Sequence, residues 1–344
     1  MDLQLSDDQR ALRTGMRDLL AAAFDRERMR AAVAGGGGVD RVLWRELGAA
    51  GLFALRLPQE AGGVGLGLPE AVLLLEEAGR SLLPGPLVAT QAAAGAVAGA
   101  AEGEAVVAVL DGDLPVADLA GADALLVAEP GGPARLLTGA DLRALTRTAR
   151  PVRSLDPLTP LHRVAMPPPG AGEPTGTAAD RLRDEAALLT AAEQLGSAAH
   201  TTEMAVQHAG TREQFGAPIG SFQAVKHLCA DMHVRTGVAR AAVYAAALTG
   251  DRVEIAGAKL LADEAAVLNA RDCLQIHGGT GFTWEADVHL HLKRAWLRSA
   301  RWLAARAAEE VLAAALDRPA DRTADRTGRS PAFVRRRSEA EAGG

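Results

Sequence analysis

The sequence predicts a mainly α-helical protein with a reduced β domain in the middle of the chain. Hydrophobic residues make up 48% of the 344 residues and aromatic residues only 3%, and alanine and leucine dominate, which favours helix over sheet. Apolar residues recur at helical spacing near both ends, whereas short continuous apolar runs occupy the middle. We expect an N-terminal α-helical domain (1–102), a shortened β domain (103–177), a C-terminal four-helix bundle (178–317) and a disordered charged tail (318–344).

The N-terminal domain is predicted to consist of helices separated by glycine and proline breaks. A capping box at Ser6 and Gln9 begins an amphipathic helix that runs to about Ala32. A second helix is expected at residues 41–50, and a third begins at Pro69. An alanine-rich helix that ends at about residue 101 should close the domain.

Two short apolar runs in the middle of the chain are predicted to be buried strands. They are Glu104–Leu110 and Asp123–Ala128, and Gly, Asp or Pro bounds each of them. Leu136–Leu137 and Val164–Met166 are candidates for further short strands. Residues 167–176 begin with three consecutive prolines, which predicts a linker.

Four long segments with apolar stripes follow, and they predict an antiparallel helix bundle. The segments are Ala179–Ala209, Ser221–Leu248, Arg252–Ile276 and Trp284–Leu316. After Asp317 the sequence is charged and has no helical period, which is typical of a disordered tail.

Charge and composition exclude several classes of protein. The formal net charge of −6 predicts no general attraction to nucleic acid. Apolar runs are too short to span a bilayer, and charges among the first 20 residues argue against a secretory signal peptide. Cys229 and Cys273 lie on apolar helical faces, so we expect buried free thiols in a cytoplasmic protein. The histidines lack zinc-type spacing, so we expect no metal site.

The first motif of functional interest is Thr211–Met232, with the sequence TREQFGAPIGSFQAVKHLCADM. Inside this stretch, Gly216, Pro218 and Gly220 lie within five residues of one another. A continuing helix would not tolerate this combination. The motif therefore predicts the end of one helix, a tight turn and the start of the next helix. Arg212 and Phe215 are expected at the turn.

The second motif is Gln275–Phe282, with the sequence QIHGGTGF. A predicted helix reaches His277, and three glycines follow within four residues. Glycines let backbone N–H groups come close to a bulky anionic group. Each motif alone is equally consistent with a plain connection between two helices.

Together the two motifs resemble the C-terminal helical domain of the acyl-CoA dehydrogenase flavoprotein family in residue type, spacing and order. The resemblance implies contacts with the adenosine diphosphate half of FAD from six residues: Arg212, Gln214, Phe215, Gln275, Gly278 and Gly279. In this family those contacts reach a flavin that the neighbouring subunit mainly holds. The resemblance therefore implies a composite site between subunits.

The middle of the chain departs from the family pattern. Full-length members have a larger β domain, in which a Thr-Glu loop and a Trp-x-Thr motif hold the isoalloxazine ring. Neither motif is present here, and there is no tryptophan between Trp44 and Trp284. The comparison predicts a shortened β domain without its own contacts to the flavin ring.

The catalytic base is the second departure from the family pattern. Oxidation of a thioester between its α and β carbons needs a base, a flavin that accepts hydride and donors for the enolate oxygen. Counting without gaps, the family's two base positions fall on Trp302 and Ala186. Glu185 adjoins Ala186 and is the candidate base. The alternative is that Glu185 only interacts with the positive end of a helix dipole.

The sequence thus predicts a subunit of an FAD-dependent acyl-CoA dehydrogenase that completes a composite flavin site in a heteromer. The stretch Gly279–Glu285 resembles the shorter partner chains of heteromeric bacterial enzymes of the steroid type. Expected partners are an acyl-CoA substrate, a homologous acyl-CoA dehydrogenase subunit and an electron-transfer acceptor, with no nucleic acid and no membrane. Two alternatives are a self-sufficient homo-oligomer that uses Glu185, and a structural subunit without flavin.

Overall fold

The chain folds into a helical N-terminal part, a small β region and a helical C-terminal part, in that order along the sequence. This computed structural model describes residues 4–317, and the predicted tail at 318–344 lies outside the described residues. The predicted fold class is confirmed. The domain boundaries remain a prediction.

The N-terminal helices are α1 (Asp7–Ala23), α2 (Arg26–Ala34), α3 (Arg41–Ala49), α4 (Leu68–Arg80) and α5 (Leu87–Ala93). The capping box at Ser6 begins α1, as predicted. The single helix predicted up to Ala32 is wrong, because Asp25 accepts a hydrogen bond from the Arg28 N–H and caps a new helix. The predicted alanine-rich helix to residue 101 is also too long, since turns follow Ala93.

The β region contains two small sheets and the short helix α6 (Gly139–Thr148). The first sheet has the order β1 (Val107–Leu110), β3 (Ala124–Val127), β4 (Pro133–Leu137), β7 (Glu173–Ala178). The second has the order β2 (Val116–Ala117), β6 (Leu161–Arg163), β5 (Arg150–Val152). β1 and β3 are parallel and fully buried, which explains their unbroken apolar runs.

Two expectations for this region are wrong. The predicted strand at Val164–Met166 lies just after β6, because pairing with β2 and β5 uses residues 161–163 instead. The predicted linker at 167–176 contains the start of β7, which pairs antiparallel with β4. The hydroxyl of Thr175 donates to the carbonyl of Ala134 across this pair, at 3.1 Å.

The C-terminal part consists of α7 (Ala179–Thr211), α8 (Gln223–Thr249), α9 (Arg252–His277), α10 (Val288–Ser299) and α11 (Ala305–Leu316). The fourth helix predicted at 284–316 is wrong, because the chain breaks between α10 and α11. Trp302 in this break has a left-handed backbone with φ +64°, which a continuous helix cannot contain. Its N–H donates to Asp111 Oδ2 at 2.6 Å, which ties the break to the end of β1.

The long helix α7 joins the two helical parts through a close crossing with α4. A Cβ atom added to Gly196 would lie 1.8 Å from the carbonyl oxygen of Glu76, and one added to Gly79 would lie 2.0 Å from that of Glu193. Only glycine allows the two backbones to approach this closely. The crossing fixes the middle of α7 against the N-terminal helices.

Candidate functional site

The first bend (residues 212–222) is a tight hairpin between α7 and α8. Short strands β8 (Glu213–Gln214) and β9 (Ala217–Pro218) pair antiparallel on either side of the two-residue loop formed by Phe215 and Gly216. Both loop residues have positive φ, +55° and +79°, as a type I′ turn requires. The Ile219 N–H donates to the carbonyl of Arg212 at 2.8 Å and closes the bend.

The hairpin projects an aromatic side chain into solvent. Phe215 is 94% exposed, and its ring contacts that of Phe222 edge-on with 6.1 Å between centroids. The left-handed backbone conformation costs a non-glycine residue roughly 1–2 kcal/mol of stability. Because the ring is exposed, burial of its apolar surface does not offset this cost. Arg212 and Gln214 are exposed beside this ring.

The second bend (residues 275–283) begins in the last turn of α9. Gly278 has φ +60° and ψ −139°, a combination that only glycine adopts readily. A Cβ atom added to Gly278 or Gly279 would meet nothing within 4 Å, so the backbone there is open to a ligand. Gly281 instead packs tightly against α9, where an added Cβ would lie 3.0 Å from the Leu274 carbonyl oxygen.

The fold brings the two bends to the same end of the C-terminal helices. His208 near the end of α7 stacks on His277 at the end of α9, with 4.1 Å between ring centroids. Side chains from both segments, among them Ala209, Ile219 and Ile276, share one hydrophobic cluster. Residues more than 50 positions apart in the sequence therefore form a single exposed surface.

The first bend carries charges of both signs, since Arg212 and Glu213 are both exposed. Partial burial, with smaller contributions from His277 and Arg212, lowers the pKa of His208. Arg212 contributes an exposed guanidinium to this surface. An exposed guanidinium beside an aromatic ring can bind a phosphate and pack on a planar base.

A second candidate region is the central cavity, which lies between the N-terminal helices, the β region and α10. Its walls come from α5, the middle of α7, strands β1 and β2, and the face of α10 that continues to Trp302. The cavity has a volume of about 80 Å³. Ligand pockets for organic molecules usually measure about 300–1,000 Å³.

Ion pairs between arginine and carboxylate side chains lie at the wall of this cavity. Arg294 Nε donates to Asp156 Oδ2 at 2.5 Å, and Arg298 Nη2 donates to Glu193 Oε1 at 2.6 Å. All four side chains are buried. Asp118 also lines the cavity on the opposite side, within the β region.

The carboxyl groups in this cavity have perturbed proton affinities. Burial raises the pKa of Asp118 to about 7, although Arg294 and Arg301 act in the opposite direction. Burial also raises the pKa of Glu193 against the effect of Arg298. Burial lowers the pKa of Arg298 to about 10. The cavity therefore holds carboxyl groups that take up protons more readily than exposed ones do.

Sequence reasoning did not identify these cavity residues. Arg294, Arg298 and Arg301 are spaced by four and three residues, which places them on one face of a helix. That spacing, together with Glu193 on the apolar face of α7, is a signal that the sequence contains. The sequence contains no such signal for Asp118, because the position of this residue depends on its own left-handed backbone, with φ +56°.

The positions considered for the catalytic base lie in three different environments. Trp302 is buried and lines the central cavity, and Ala186 is buried in the core. Glu185 does not line that cavity. Its carboxylate accepts hydrogen bonds from Arg56 at 2.6 Å and from Arg181 at 2.9 Å. Two guanidinium partners are typical of a structural ion-pair network.

The expectation of buried free thiols holds for Cys273, whereas Cys229 is only half-buried. Within residues 4–317, Cys229 and Cys273 form no disulfide, and burial raises the pKa of both thiols. In the same range no cluster of three His, Cys, Asp or Glu residues could hold a metal ion. None of the described helices is long and apolar enough to cross a membrane.

This three-part architecture, with its helical bends at 212–222 and 275–283, defines the class of protein. The acyl-CoA dehydrogenase N-terminal domain matches residues 6–104, and the acyl-CoA dehydrogenase C-terminal domain matches residues 177–304. The chain belongs to the acyl-CoA dehydrogenase family, which consists of FAD-dependent oxidoreductases, so the family and cofactor predictions are confirmed.

Relatives cover most of the chain. It is 36% identical over 308 residues to acyl-CoA dehydrogenase IpdE2 of Mycobacterium tuberculosis, covering 84% of this chain and 91% of that protein. It is 37% identical over 305 residues to the protein of the same name from Mycolicibacterium smegmatis, covering 85% and 93%.

Solved structures with the same fold include two from complexes. The steroid acyl-CoA dehydrogenase Tcur3481–Tcur3483 (G363A variant) aligns with a TM-score of 0.79 and 26% identity, over 90% of this chain and 98% of that one. The ChsE4–ChsE5 complex of Mycobacterium tuberculosis aligns with a TM-score of 0.77 and 23% identity, over 93% and 100%. PigA, solved with FAD and proline, has a TM-score of 0.80 at 17% identity over 92% and 99%.

Proposed function

We propose that this chain is one subunit of a heteromeric acyl-CoA dehydrogenase, which desaturates an acyl-CoA thioester between its α and β carbons. In this proposal the two bends complete the flavin site of a homologous subunit. Two of the similar solved structures support a heteromer. The steroid enzyme Tcur3481–Tcur3483 and the ChsE4–ChsE5 complex are each named for two different chains. An electron-transfer acceptor would reoxidise the assembled enzyme.

The observation that carries the proposal is the juxtaposition of the two bends at one exposed surface. Arg212, Gln214 and Phe215 project from the first bend, and Gly278 and Gly279 leave open backbone at the second. A guanidinium, an aromatic ring and free backbone N–H groups suit a dinucleotide, which presents phosphates and a planar base. The residues present therefore fit the adenosine diphosphate half of FAD.

The chain's own cavity does not fit the other half of FAD. Its volume is about 80 Å³, and buried ion pairs from α10 occupy its walls. A three-ring flavin would have to displace Arg294 or Arg298 and leave Asp156 or Glu193 as an unpaired buried charge. Breaking such a pair costs roughly 3–5 kcal/mol. The mismatch favours a flavin whose ring lies in the partner subunit.

An exposed face of α8 provides a further surface for a homologous partner. Val234 is 61% exposed and Val238 is 49% exposed, one helical turn apart, with exposed Gly237 beside them. Phe282 of the second bend and Trp284 just after that bend are also exposed. Apolar side chains that cluster on the surface in this way commonly lie at protein–protein interfaces.

The chemistry divides between the subunits in this proposal. FAD, when bound, accepts the hydride from the β carbon of the substrate. This chain binds the nucleotide end through Arg212 and Phe215 and orients it, while the partner supplies the base for the α proton. The buried Trp302 at the family's base position carries no proton-accepting group, which is consistent with this division.

The alternative keeps Glu185 as the base of a self-sufficient homo-oligomer. Its ion pairs with Arg56 and Arg181 favour a structural role instead. If the alternative holds, the chain purified alone is yellow, reduces an artificial acceptor with acyl-CoA, and loses this activity on Glu185→Gln. A structural subunit would lack flavin both alone and in any complex. The cytoplasmic location stays a prediction.

The proposal is tested by coexpression with a homologous acyl-CoA dehydrogenase encoded beside this chain. The purified pair should contain flavin and oxidise an acyl-CoA, whereas this chain alone should contain little flavin. Arg212→Ala should weaken flavin retention by the pair at least about tenfold, since a charge-assisted contact with phosphate is lost.

Arg306→Ala is the matched control, because Arg306 is exposed on α11 and, among the described residues, forms its ion pair with Glu310. It should leave flavin retention unchanged. A pair without flavin, or equal retention in the Arg212 and Arg306 variants, would contradict the proposal.

A further inference from the structure

Two buried arginines of the central cavity have N–H groups without a partner. Arg294 Nη2 and Arg298 Nη1 make no hydrogen bond to any described residue, although the residues are only 3% and 8% exposed. Leaving a buried donor unpaired costs roughly 1–3 kcal/mol, and more for a charged group. Unpaired donors on two neighbouring guanidinium groups therefore point to a ligand that accepts their hydrogen bonds.

Other nitrogens of both arginines already have partners and hold the two groups in place. Arg294 Nη1 donates to the carbonyls of Leu82 and Leu83 at 3.1 and 2.9 Å, and its Nε binds Asp156. Arg298 Nη2 binds Glu193. The free donors are thus fixed by the fold and do not depend on a flexible side chain.

The third arginine of the cavity, Arg301, interacts electrostatically with two carboxyl groups, Asp111 and Asp118. Asp118 lines the same cavity, is 4% exposed, and its Oδ1 atom lacks a partner among the described residues. Because burial raises its pKa to about 7, Asp118 carries its proton about half of the time at neutral pH. Asp156 and Glu193 pair with the other two arginines of the cavity, Arg294 and Arg298.

The size and walls of the cavity limit what can enter. One water needs roughly 10–15 Å³ of such volume, so the cavity of about 80 Å³ holds on the order of five non-hydrogen atoms. Part of the cavity wall is apolar and includes Val88, Ala89 and Val109. Several lining residues, such as Gly85 and Ala117, are only half-buried, so the cavity opens to the surface.

We propose that the central cavity binds a short-chain carboxylate. Its carboxylate oxygens would accept hydrogen bonds from Arg294 Nη2 and Arg298 Nη1, and its two- or three-carbon stem would lie against the apolar wall of α5 and β1. Two unpaired guanidinium donors favour an anionic acceptor over water, and the apolar wall favours a carboxylate over phosphate. This site is separate from the bends and does not depend on the proposed flavin site.

The first test titrates the full chain with propionate, phosphate and chloride at constant ionic strength and follows both heat of binding and melting temperature. Propionate should bind saturably, and a crystal soaked with 3-bromopropionate should place bromine inside the cavity. Phosphate and chloride should not reproduce the saturable effect. Saturable binding of phosphate without propionate, or no saturable binding of any of the three anions, would overturn the proposal.

Two variants locate the binding. Arg298→Gln with Glu193→Gln removes the free cationic donor while it keeps a neutral pair in the core, and it should weaken propionate binding at least about tenfold. Ala89→Leu fills the cavity without changing a charge and should abolish binding. The Ala89 variant keeps the test conclusive if the double variant does not fold.

The matched control is Arg306→Gln with Glu310→Gln, an exposed pair with 3.2 Å between Arg306 Nε and Glu310 Oε1. Binding should be unchanged in this control, and equal binding in the control and both cavity variants would refute the site. Flavin retention by the assembled pair is measured in parallel. Lost propionate binding with intact flavin retention, or the reverse, separates this proposal from the proposed function.

Discussion

The bends at the end of α7 and the central cavity near its middle contrast in almost every physical property. At the bends, Phe215 is exposed and the backbone at Gly278 and Gly279 is open. In the cavity, Arg294 and Arg298 are buried and paired with carboxylates. One helix therefore supports an open surface that fits a dinucleotide and a small interior that does not fit a flavin ring.

Both regions contain features that cost the isolated chain stability. The left-handed Phe215 costs roughly 1–2 kcal/mol with no burial in return, and each unpaired buried donor of the cavity adds a comparable cost. Such costs are common at binding sites, where a ligand or partner compensates for them. The two regions differ in what could compensate for this cost in stability. At the bends it would be a large external partner, whereas in the cavity it would be a small anion.

The largest effect on stability is expected from Asp156→Ala. It leaves Arg294 buried without its carboxylate, so the free energy of unfolding should fall by about 3–5 kcal/mol. Urea unfolding of the full chain measures this change. Glu310→Ala removes the carboxylate of an exposed pair and should cost less than about 0.5 kcal/mol. Similar losses in the two variants would mean that the cavity pair is not buried in solution.

The second prediction concerns the pH dependence of Asp118. Its pKa is raised in the folded state, so its contribution to stability is fully present below the unfolded pKa and is lost as pH rises towards about 7. Asp118→Asn removes that loss. The variant's gain in unfolding free energy over wild type should therefore be about 3 kcal/mol larger at about pH 8 than at about pH 5.

Denaturant unfolding of both proteins at the two pH values checks the Asp118 prediction. Asp113→Asn is the control, since Asp113 is exposed in the same part of the chain. A gain for Asp118→Asn that does not change with pH would show that Asp118 is ionised and solvated in the native state.

The third prediction separates stability from binding at the first bend. Phe215→Gly relieves the left-handed backbone and loses little buried area, so the unfolding free energy should rise by up to about 1 kcal/mol. Flavin retention by the assembled pair should fall in the same variant. Thermal melting of the chain and flavin content of the pair measure the two effects, and a gain in both would contradict a binding role for the ring.

The smallest effect on the isolated chain is expected from Val234→Ser with Val238→Ser on the exposed face of α8. Stability should change by less than about 0.5 kcal/mol per substitution, because both side chains already face water. Assembly with the homologous subunit should weaken, which analytical ultracentrifugation of the mixed chains can measure. Unchanged assembly would remove this face from the proposed interface.

The sequence predicted the order of the helical and β regions, because the spacing of apolar residues differs between a helix with one buried face and a fully buried strand. It missed the breaks at Asp25 and Trp302, since each depends on one hydrogen bond that competes with helix continuation. The Trp302 break needs Asp111 from β1, which lies 191 positions away in the sequence. No local pattern reports such a contact.

The candidate functional regions were likewise predictable only in part: the two bends were predicted from the sequence, and the central cavity was not. The spacing in 211–232 and 275–282 placed both bends, because turns require glycine and proline at fixed positions. The cavity pairs Arg294–Asp156 and Arg298–Glu193 were not predicted, since they join α10 to segments more than 100 positions distant. The location of Glu185 in an ion-pair network likewise depends on Arg56 from the N-terminal part.

The most direct test of the proposed division of roles is hydrogen–deuterium exchange of this chain, alone and after mixing with its flavin-loaded homologous partner. We predict that amides of residues 212–222 and 275–283 become protected on mixing, while those around Asp118 and residues 294–302 keep their exchange rates. Protection confined to the central cavity, or unchanged exchange at both bends, would contradict the account.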